Sequence, residues 1–94
     1  MNVNIEHHKE NNRFQTTIEN RKAYLSYRKQ GEGTLEYYKT FVPEQDRDRG
    51  IASQLTRAAL TYAKNNDLKV IPTCPFVASY IEEHREFEAL RADE

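Results

Sequence analysis

The chain contains no tryptophan, one cysteine, one methionine, three glycines and three prolines among 94 residues. The lone Cys74 cannot form an intramolecular disulfide, which argues against a disulfide-stabilised secreted scaffold. No apolar run is long enough to cross a membrane, and no signal-peptide pattern is present. We therefore expect a cytoplasmic protein without a membrane partner.

An excess of charge of either sign is also missing, because 14 Lys and Arg residues face 15 Asp and Glu residues. No global field therefore points to nucleic acid or to an anionic membrane surface. Stacking aromatics and a one-sided basic stripe are not evident in the sequence, so we expect no nucleic-acid partner. The length suits one modest core, and we assign residues 1–94 to a single domain that we expect to be monomeric.

The first twelve residues are mostly polar, and the pattern predicts a flexible segment or a short edge strand through Val3 and Ile5. His7 and His8 are the only candidate metal ligands in this segment. No cysteine or third histidine follows at ligand spacing, so we expect a solvated turn there and no metal site.

Alternation of apolar and polar residues predicts a meander of three antiparallel strands, over residues 13–18, 22–28 and 34–42. Turn residues separate them at positions 19–20 and 30–33. In the third strand the alternation predicts that Leu35, Tyr37 and Lys39 share one face and that Glu36, Tyr38 and Thr40 share the other.

After Pro43 the apolar period changes to about 3.6, which predicts a helix over residues 50–65. A short strand is predicted at 68–72 and a last helix at about 76–90, with its apolar face formed by Val77, Tyr80, Ile81 and His84. The predicted fold is α+β: a mixed, mostly antiparallel sheet with a central crossover helix and a C-terminal helix.

The most informative motif lies in the loop before the central helix, where Arg47, Gly50 and Ala52 form an Arg-x-x-Gly-x-Ala pattern. A helix start offers amide groups without internal partners and the positive end of the helix dipole. Gly50 allows close approach of the main chain, and Arg47 and Arg49 add positive charge. This pattern is typical of a diphosphate-binding loop.

Several segments together resemble the small single-domain GNAT-like N-acetyltransferases. They are Val42-Pro43, the loop from Arg47 to Leu55, the run from Leu68 to Val77, and Tyr80-Ile81 with His84. The resemblance spans about residues 22 to 90. It implies an acetyl-CoA-dependent transferase of a minimal GNAT-like fold, in which the strands before and after the central helix separate and coenzyme A passes between them.

The resemblance also implies which residues bind the cofactor. The diphosphate would contact the loop, and the pantetheine arm and thioester would lie between the separated strands, with a main-chain amide near Val42 polarising the thioester oxygen. The implied cofactor-binding residues are Phe41, Val42, Arg47, Asp48, Arg49, Gly50, Ile51, Ala52, Ser53, Cys74 and Phe76.

Three side chains are candidates for catalysis, and each has a structural alternative. Cys74 could accept an acetyl group or protonate the leaving coenzyme, although buried cysteine is also common in cores. Tyr80 resembles the tyrosine that many GNAT enzymes use as an acid, although a tyrosine on an apolar helical face is usually a packing residue. His84 is a candidate general base because an imidazole side chain can accept a proton near neutral pH, and a hydrogen-bonded core histidine is its alternative.

Two positions depart from the family pattern. Lys39 stands where a histidine is usual and is a poor base while it is charged. Asp48 places a carboxylate in the loop, where we expect it to point outward.

Only tight turns separate the first strands, so we expect an open acceptor side that suits a peptide or protein amine. The sequence leaves two functions open: transfer of acetyl to a primary amine by direct attack, and a non-catalytic acyl-CoA-binding module.

Overall fold

The computed structural model describes residues 2–92, which form five strands, two α-helices and three short 3₁₀ segments. The strands are β1 (Glu6–His8), β2 (Arg13–Ile18), β3 (Arg21–Lys29), β4 (Thr34–Phe41) and β5 (Lys69–Pro72). The helices are α1 (Ile51–Asn65) and α2 (Pro75–Glu83), and the 3₁₀ segments are Lys9–Asn11, Glu44–Asp46 and Arg85–Leu90. Within the described part of the chain, no helix has the length and apolarity needed to cross a bilayer.

The five strands form one sheet in the order β1-β2-β3-β4-β5. The first three pairings are antiparallel, and β4 pairs in parallel with β5 from Thr34↔Lys69 to Tyr37↔Pro72. The parallel pair requires a crossover connection, which α1 supplies. The predicted α+β fold with a mixed, mostly antiparallel sheet is confirmed.

The core lies on one face of this sheet, where α1 and α2 both pack. Leu25 and Tyr37 of the sheet, Leu55 of α1 and Ile81 of α2 are fully buried in one cluster. Burying a leucine of this kind contributes about 1.5–3 kcal/mol. The Tyr37 hydroxyl donates a 2.6 Å hydrogen bond to the Ala59 carbonyl of α1, and burial raises the pKa of Tyr37 so that this donor stays protonated.

A β-bulge interrupts the pairing of β3 with β4. Ser26 pairs with Lys39 and Tyr27 with Tyr37, so Tyr38 is an extra residue in β4. A bulge shifts the alternation of side chains by one residue and increases the local twist. Residues of β4 before and after Tyr38 therefore follow different face patterns.

The prediction that Lys39 shares a face with Tyr37 is wrong for this reason. Lys39 pairs with Ser26 and lies on the face opposite the helices, whereas Thr40 pairs with fully buried Leu25 on the helix side. Period-two alternation cannot reveal a bulge, because the sequence carries no glycine or proline at this point.

The N-terminal segment also differs from the prediction. The edge strand is at Glu6–His8 instead of Val3 to Ile5, and both of those apolar residues pack against the core from outside the strand. The predicted solvated turn at His7 is wrong, because the His7 ring stacks on Phe14 at 4.1 Å and its Nε2 lies 2.7 Å from the Tyr27 hydroxyl.

The last predicted helix is shorter than expected. α2 ends at Glu83, because His84 has φ −126° and ψ 81°, and a 3₁₀ segment continues from Arg85. His84 therefore caps α2 instead of continuing its apolar face. Phe87 is buried in the core, and burial of its ring stabilises the turn of the chain at this point.

The position of His7 leads to a pH prediction. Burial, and secondarily the nearby Lys9, hold the pKa of His7 below its usual value of 6.5. The unfolded chain therefore takes up a proton at this residue before the folded chain does. This contribution to stability is fully present above pH 6.5 and is lost as the pH falls from there through the folded-state pKa.

We expect the melting temperature of His7→Phe to fall less than that of the parent between pH 7.5 and pH 5, as followed by circular dichroism. The neutral ring retains the stacking on Phe14 but cannot titrate. His8→Gln, on the opposite face of the same strand, is the matched control and should keep the parental slope. Identical slopes for His7→Phe and the parent would contradict the account.

Candidate functional site

A slot separates the end of β4 from the segment after β5. The last link between them is the Cys74 amide, which donates to the Tyr37 carbonyl at 2.9 Å. Beyond it β4 continues to Phe41 without a partner from β5, because the β4–β5 pairing ends at Tyr37↔Pro72. The slot has a volume of about 400 Å³ and is lined by Thr40, Phe41, Val42, Arg47, Ala52, Cys74, Pro75 and Phe76.

A second cavity, which we call the cradle, lies over the start of α1. Its volume is about 290 Å³, and it is lined by Val42, Asp46, Arg47, Asp48, Gly50, Ile51, Ala52, Ser53 and Phe76. The slot and the cradle share Val42, Arg47, Ala52 and Phe76. The two cavities therefore adjoin, and one extended ligand can occupy both.

The cradle is suited to an anion because α1 begins without a side-chain cap. Gly50 occupies the N-cap position in the left-handed conformation with φ 76°, and no described side chain caps the helix. The amides of the first turn therefore remain available to a ligand. A Cβ added at Gly50 would meet no protein atom within 4 Å and would stand in open space with a strained backbone.

The two arginines of the loop are held differently. Arg47 is exposed, and its Nε donates to the Val42 carbonyl at 3.0 Å, which joins the loop to the end of β4. Arg49 has one nitrogen 3.7 Å from the Asp46 carboxylate. Asp48 is exposed with φ 68°, and the left-handed backbone at Asp48 and Gly50 makes the loop turn sharply.

A buried ion pair holds this loop against the start of β3. The Asp46 side chain has no exposed surface, and both of its oxygens accept hydrogen bonds of 2.8 Å from Arg21, at the start of β3. The Arg21 guanidinium holds the pKa of Asp46 below its usual range, so the carboxylate stays ionised. The bidentate contact neutralises a carboxylate that would otherwise repel an anion in the cradle.

Cys74 lies inside the slot and is almost fully buried. Its Sγ is 3.4 Å from the Thr40 hydroxyl, which the bulge directs to this side of the sheet. Either atom can donate in this contact. The pair is the only sulfur-to-hydroxyl hydrogen bond among the described residues, and it places an exchangeable proton inside the slot.

Tyr80 and His84 form a cluster of their own outside the two cavities. Their rings stack at 3.9 Å, the Tyr80 hydroxyl is 3.5 Å from a nitrogen of Arg57, and Phe87 packs beside them. His84 Nδ1 donates to the Tyr80 carbonyl at 2.9 Å, since a carbonyl can only accept. Neither residue lines the slot or the cradle. Their catalytic roles stay predictions, and this arrangement shows the packing contacts that were their structural alternative.

The structure brings the predicted cofactor residues together. All of them line the slot or the cradle except Arg49, which contacts Asp46 instead. Sequence reasoning missed Thr40 and Asp46. The orientation of Thr40 depends on the bulge, and the burial of Asp46 depends on a partner far away in the sequence. The only signal in the sequence is that each residue is next to a predicted site residue.

Comparison with known proteins agrees with this geometry. A family model described as GCN5-related N-acetyl-transferase matches residues 13–90. Protein NATD1 of Xenopus tropicalis is 31% identical over 84 residues, which cover 87% of this chain and 77% of the relative. Protein NATD1 of Danio rerio is 32% identical over 84 residues, covering 87% and 76%.

A solved structure shares the fold. A GCN5-like protein of Staphylococcus aureus, determined by NMR in solution, superposes with a TM-score of 0.76 at 22% identity, covering 99% of this chain and 91% of that one. With the family match over most of the chain and relatives above 30% identity, the predicted resemblance is confirmed: this chain belongs to the GCN5-related N-acetyltransferase family, a family of acyltransferases.

Proposed function

We propose that this protein binds acetyl-CoA in the cradle and slot and transfers the acetyl group directly to a primary amine. The observation that carries the proposal is the uncapped start of α1 at Gly50, next to a slot between separated strands. The family membership supports the use of an acyl donor. We also propose that the protein acts as a monomer in the cytoplasm.

Different parts of the site would bind different parts of acetyl-CoA. The amides of the first turn of α1 would bind the diphosphate, and Arg47 and Arg49 would add positive charge beside it. The unpaired edge of β4 from Tyr38 to Phe41 would bind the amide groups of the pantetheine arm as a strand partner does. Phe41 and Phe76, both exposed, would cover the arm where it passes between the strands.

A bound thioester supplies an activated carbonyl carbon, which an amine can attack while coenzyme A departs. The protein would hold the carbonyl against a main-chain amide near Val42, where negative charge develops. It would also hold the amine in its neutral form at attacking distance. As the C–N bond forms and the C–S bond breaks, the amine loses one proton and the sulfur gains one, and the Cys74 and Thr40 pair is placed to carry it.

No ionisable base among the described residues lines the slot apart from Cys74. This favours an acceptor that arrives already deprotonated, or a slow turnover. For the same reason, a non-catalytic acyl-CoA-binding module stays the second candidate function.

Calorimetric titration with acetyl-CoA, followed by incubation with an amine and mass analysis, separates the enzyme from the binding module. Binding with transfer supports the enzyme, and binding without any transfer supports the module.

The cradle assignment predicts the effect of Gly50→Val. A side chain here would occupy open space in the cradle, where we propose that the diphosphate lies, and would strain a backbone with φ 76°. We expect acetyl-CoA affinity, measured by calorimetry, to fall at least about tenfold, because diphosphate contacts are charge-assisted. Gly33→Val is the matched control, since Gly33 also has positive φ and open space around it but lies in the β3–β4 turn.

Both variants should lose a similar amount of stability, about 1–2 kcal/mol, from the left-handed backbone. Only Gly50→Val should lose affinity. If folded Gly50→Val binds acetyl-CoA as the parent does, the diphosphate does not lie at this loop.

The position of Cys74 beside Thr40 predicts the outcome of Cys74→Ser. Direct attack by an amine needs no nucleophile from the protein, so acetyl-CoA binding should stay near normal. Transfer should fall about tenfold to a hundredfold if the thiol carries a proton in the reaction. Steady-state rates and the mass of the intact protein would be measured together. Complete loss of transfer, with acetyl-Cys74 trapped in the parent, would show a covalent route and overturn direct transfer.

A further inference from the structure

Within the described residues neither α-helix covers the second face of the sheet, because both pack on the other face. Gln15 and Ser26 on this second face are buried, and its other side chains are half-buried or exposed. The buried apolar residues of β2 and β3, such as Phe14, Ala23 and Leu25, all point to the helices. Their strand neighbours point the opposite way. We call this surface the open face; its central members are Arg13, Gln15, Lys22, Tyr24, Ser26, Arg28, Glu36, Tyr38, Lys39 and Phe41.

The open face is positively charged although the chain has a net charge of −1. Arg13, Lys22, Arg28 and Lys39 project from its central strands, where Glu36 is the one carboxylate among the described residues. The Glu36 side chain is only 14% exposed, and hydrogen bonds from Thr73 and Gln30 hold the pKa of its carboxyl below its usual range. Exposed Glu6 lies on the same face at its β1 edge, opposite Gln15, where its carboxylate contacts His8 at 2.9 Å. Over the central strands the cations are therefore what this face presents to a partner.

Aromatic rings lie between these cations. The Arg28 guanidinium is 3.9 Å from the centre of the Tyr38 ring, and that of Arg13 is 4.5 Å from the centre of the Tyr24 ring. Such stacking orients each guanidinium, and each also has one polar contact within the face: an Arg28 nitrogen lies 3.5 Å from the Glu36 carboxylate, and Arg13 Nε donates to Gln15 at 3.0 Å. The Arg28 side chain is still 57% exposed, so its other donors can reach a partner. The bulge at Tyr38 creates this pattern, since it moves Lys39 to the open face.

The open face is continuous with the slot. The Phe41 ring packs 5.5 Å from the Tyr24 ring on the open face, and Phe41 also lines the slot beside Cys74. An extended chain lying over Tyr24 and Phe41 would therefore place one of its side chains at the mouth of the slot. Lys39, which is exposed, lies next to that path.

We propose that the open face binds an acidic, extended segment of the acceptor protein, so that a lysine flanked by carboxylates enters the slot. The proposal rests on the proposed function and specifies its acceptor. Charge complementarity selects the segment: carboxylates pair with Arg28 and Lys39, and apolar or aromatic side chains pack on Tyr24 and Phe41. A segment with basic flanks would be repelled by the same cations.

The test uses the ¹⁵N-labelled protein saturated with coenzyme A. The probe is a twelve-residue peptide with a central lysine among aspartates and glutamates, compared with a peptide of serine flanks and one of arginine flanks. We expect the acidic peptide to shift amides of β2, β3 and β4, and its affinity to fall as salt rises. The serine peptide should bind less tightly and the arginine peptide least.

Substitutions on the open face test where the acidic peptide binds. Arg28→Gln and Lys39→Gln should each weaken the acidic peptide about two- to fivefold, the range for exposed ion pairs. Lys29→Gln is the matched control, because it is next to Arg28 in β3 but pairs with buried Leu35 on the helix side. That variant should bind the peptide as the parent does.

The two proposals fail separately. If coenzyme A shifts no amide from Arg47 to Ser53, the proposed function is wrong. If it shifts those amides but the acidic peptide leaves the open face unperturbed, or binds no better than the arginine peptide, the acceptor proposal alone is overturned. Tighter binding of a ten-residue thymidine oligonucleotide than of the acidic peptide, sensitive to Arg28→Gln, would also overturn it in favour of a nucleic-acid surface.

Discussion

The contact between Arg21 and Asp46 is the interaction on which the candidate site depends. The chain between β4 and α1 has little regular structure of its own, with one 3₁₀ turn at Glu44–Asp46 and two left-handed residues after it. Its fixed point is the Asp46 carboxylate, which is fully buried and accepts hydrogen bonds of 2.8 Å from Nε and Nη2 of Arg21. A bidentate contact fixes orientation as well as distance. The start of α1 and the amides of its first turn are thereby placed relative to the sheet.

A second constraint comes from the bulge at Tyr38. The sheet is continuous from β1 to β5 only up to Tyr37 in β4, and Tyr38 follows immediately as the residue without a partner in β3. The extra residue increases the twist of β4 where β5 ends. It also reverses the faces beyond it, so Thr40 reaches Cys74 on the helix side and Lys39 reaches the open face. One local irregularity thus shapes the slot and the charge of the opposite surface.

The sequence predicts the regular parts of this fold well, because its apolar periods change where the elements change. The meander, α1 and the parallel strand after it are recovered to within about two residues, as is usual for element boundaries. The loop from Arg47 to Ser53 is also found, since an arginine, a glycine and a helix start are local features. The family resemblance, confirmed by the comparisons, places Cys74 and Phe76 beside it.

What the sequence does not predict depends on contacts between distant residues. The partner of Asp46 lies 25 positions away, and the docking of His7 depends on Phe14, Tyr27 and Tyr62. The cations of the open face are scattered over three strands, so no basic stripe is visible until the strands pair. The end of α2 at Glu83 depends on the burial of Phe87, which a helical period cannot distinguish from a continuing turn.

The central claim is that the pair of Arg21 with Asp46 holds the loop in a shape that binds a diphosphate. Arg21→Lys keeps the charge but loses the bidentate geometry, and Lys22→Ala removes a neighbouring cation that points to the open face. Calorimetry with acetyl-CoA, alongside amide spectra that confirm folding, tests the claim. We predict about a tenfold loss of affinity for folded Arg21→Lys, because the loop is no longer preorganised, and little change for Lys22→Ala. Parental affinity in a folded Arg21→Lys protein, with only its melting temperature lowered, would contradict the account.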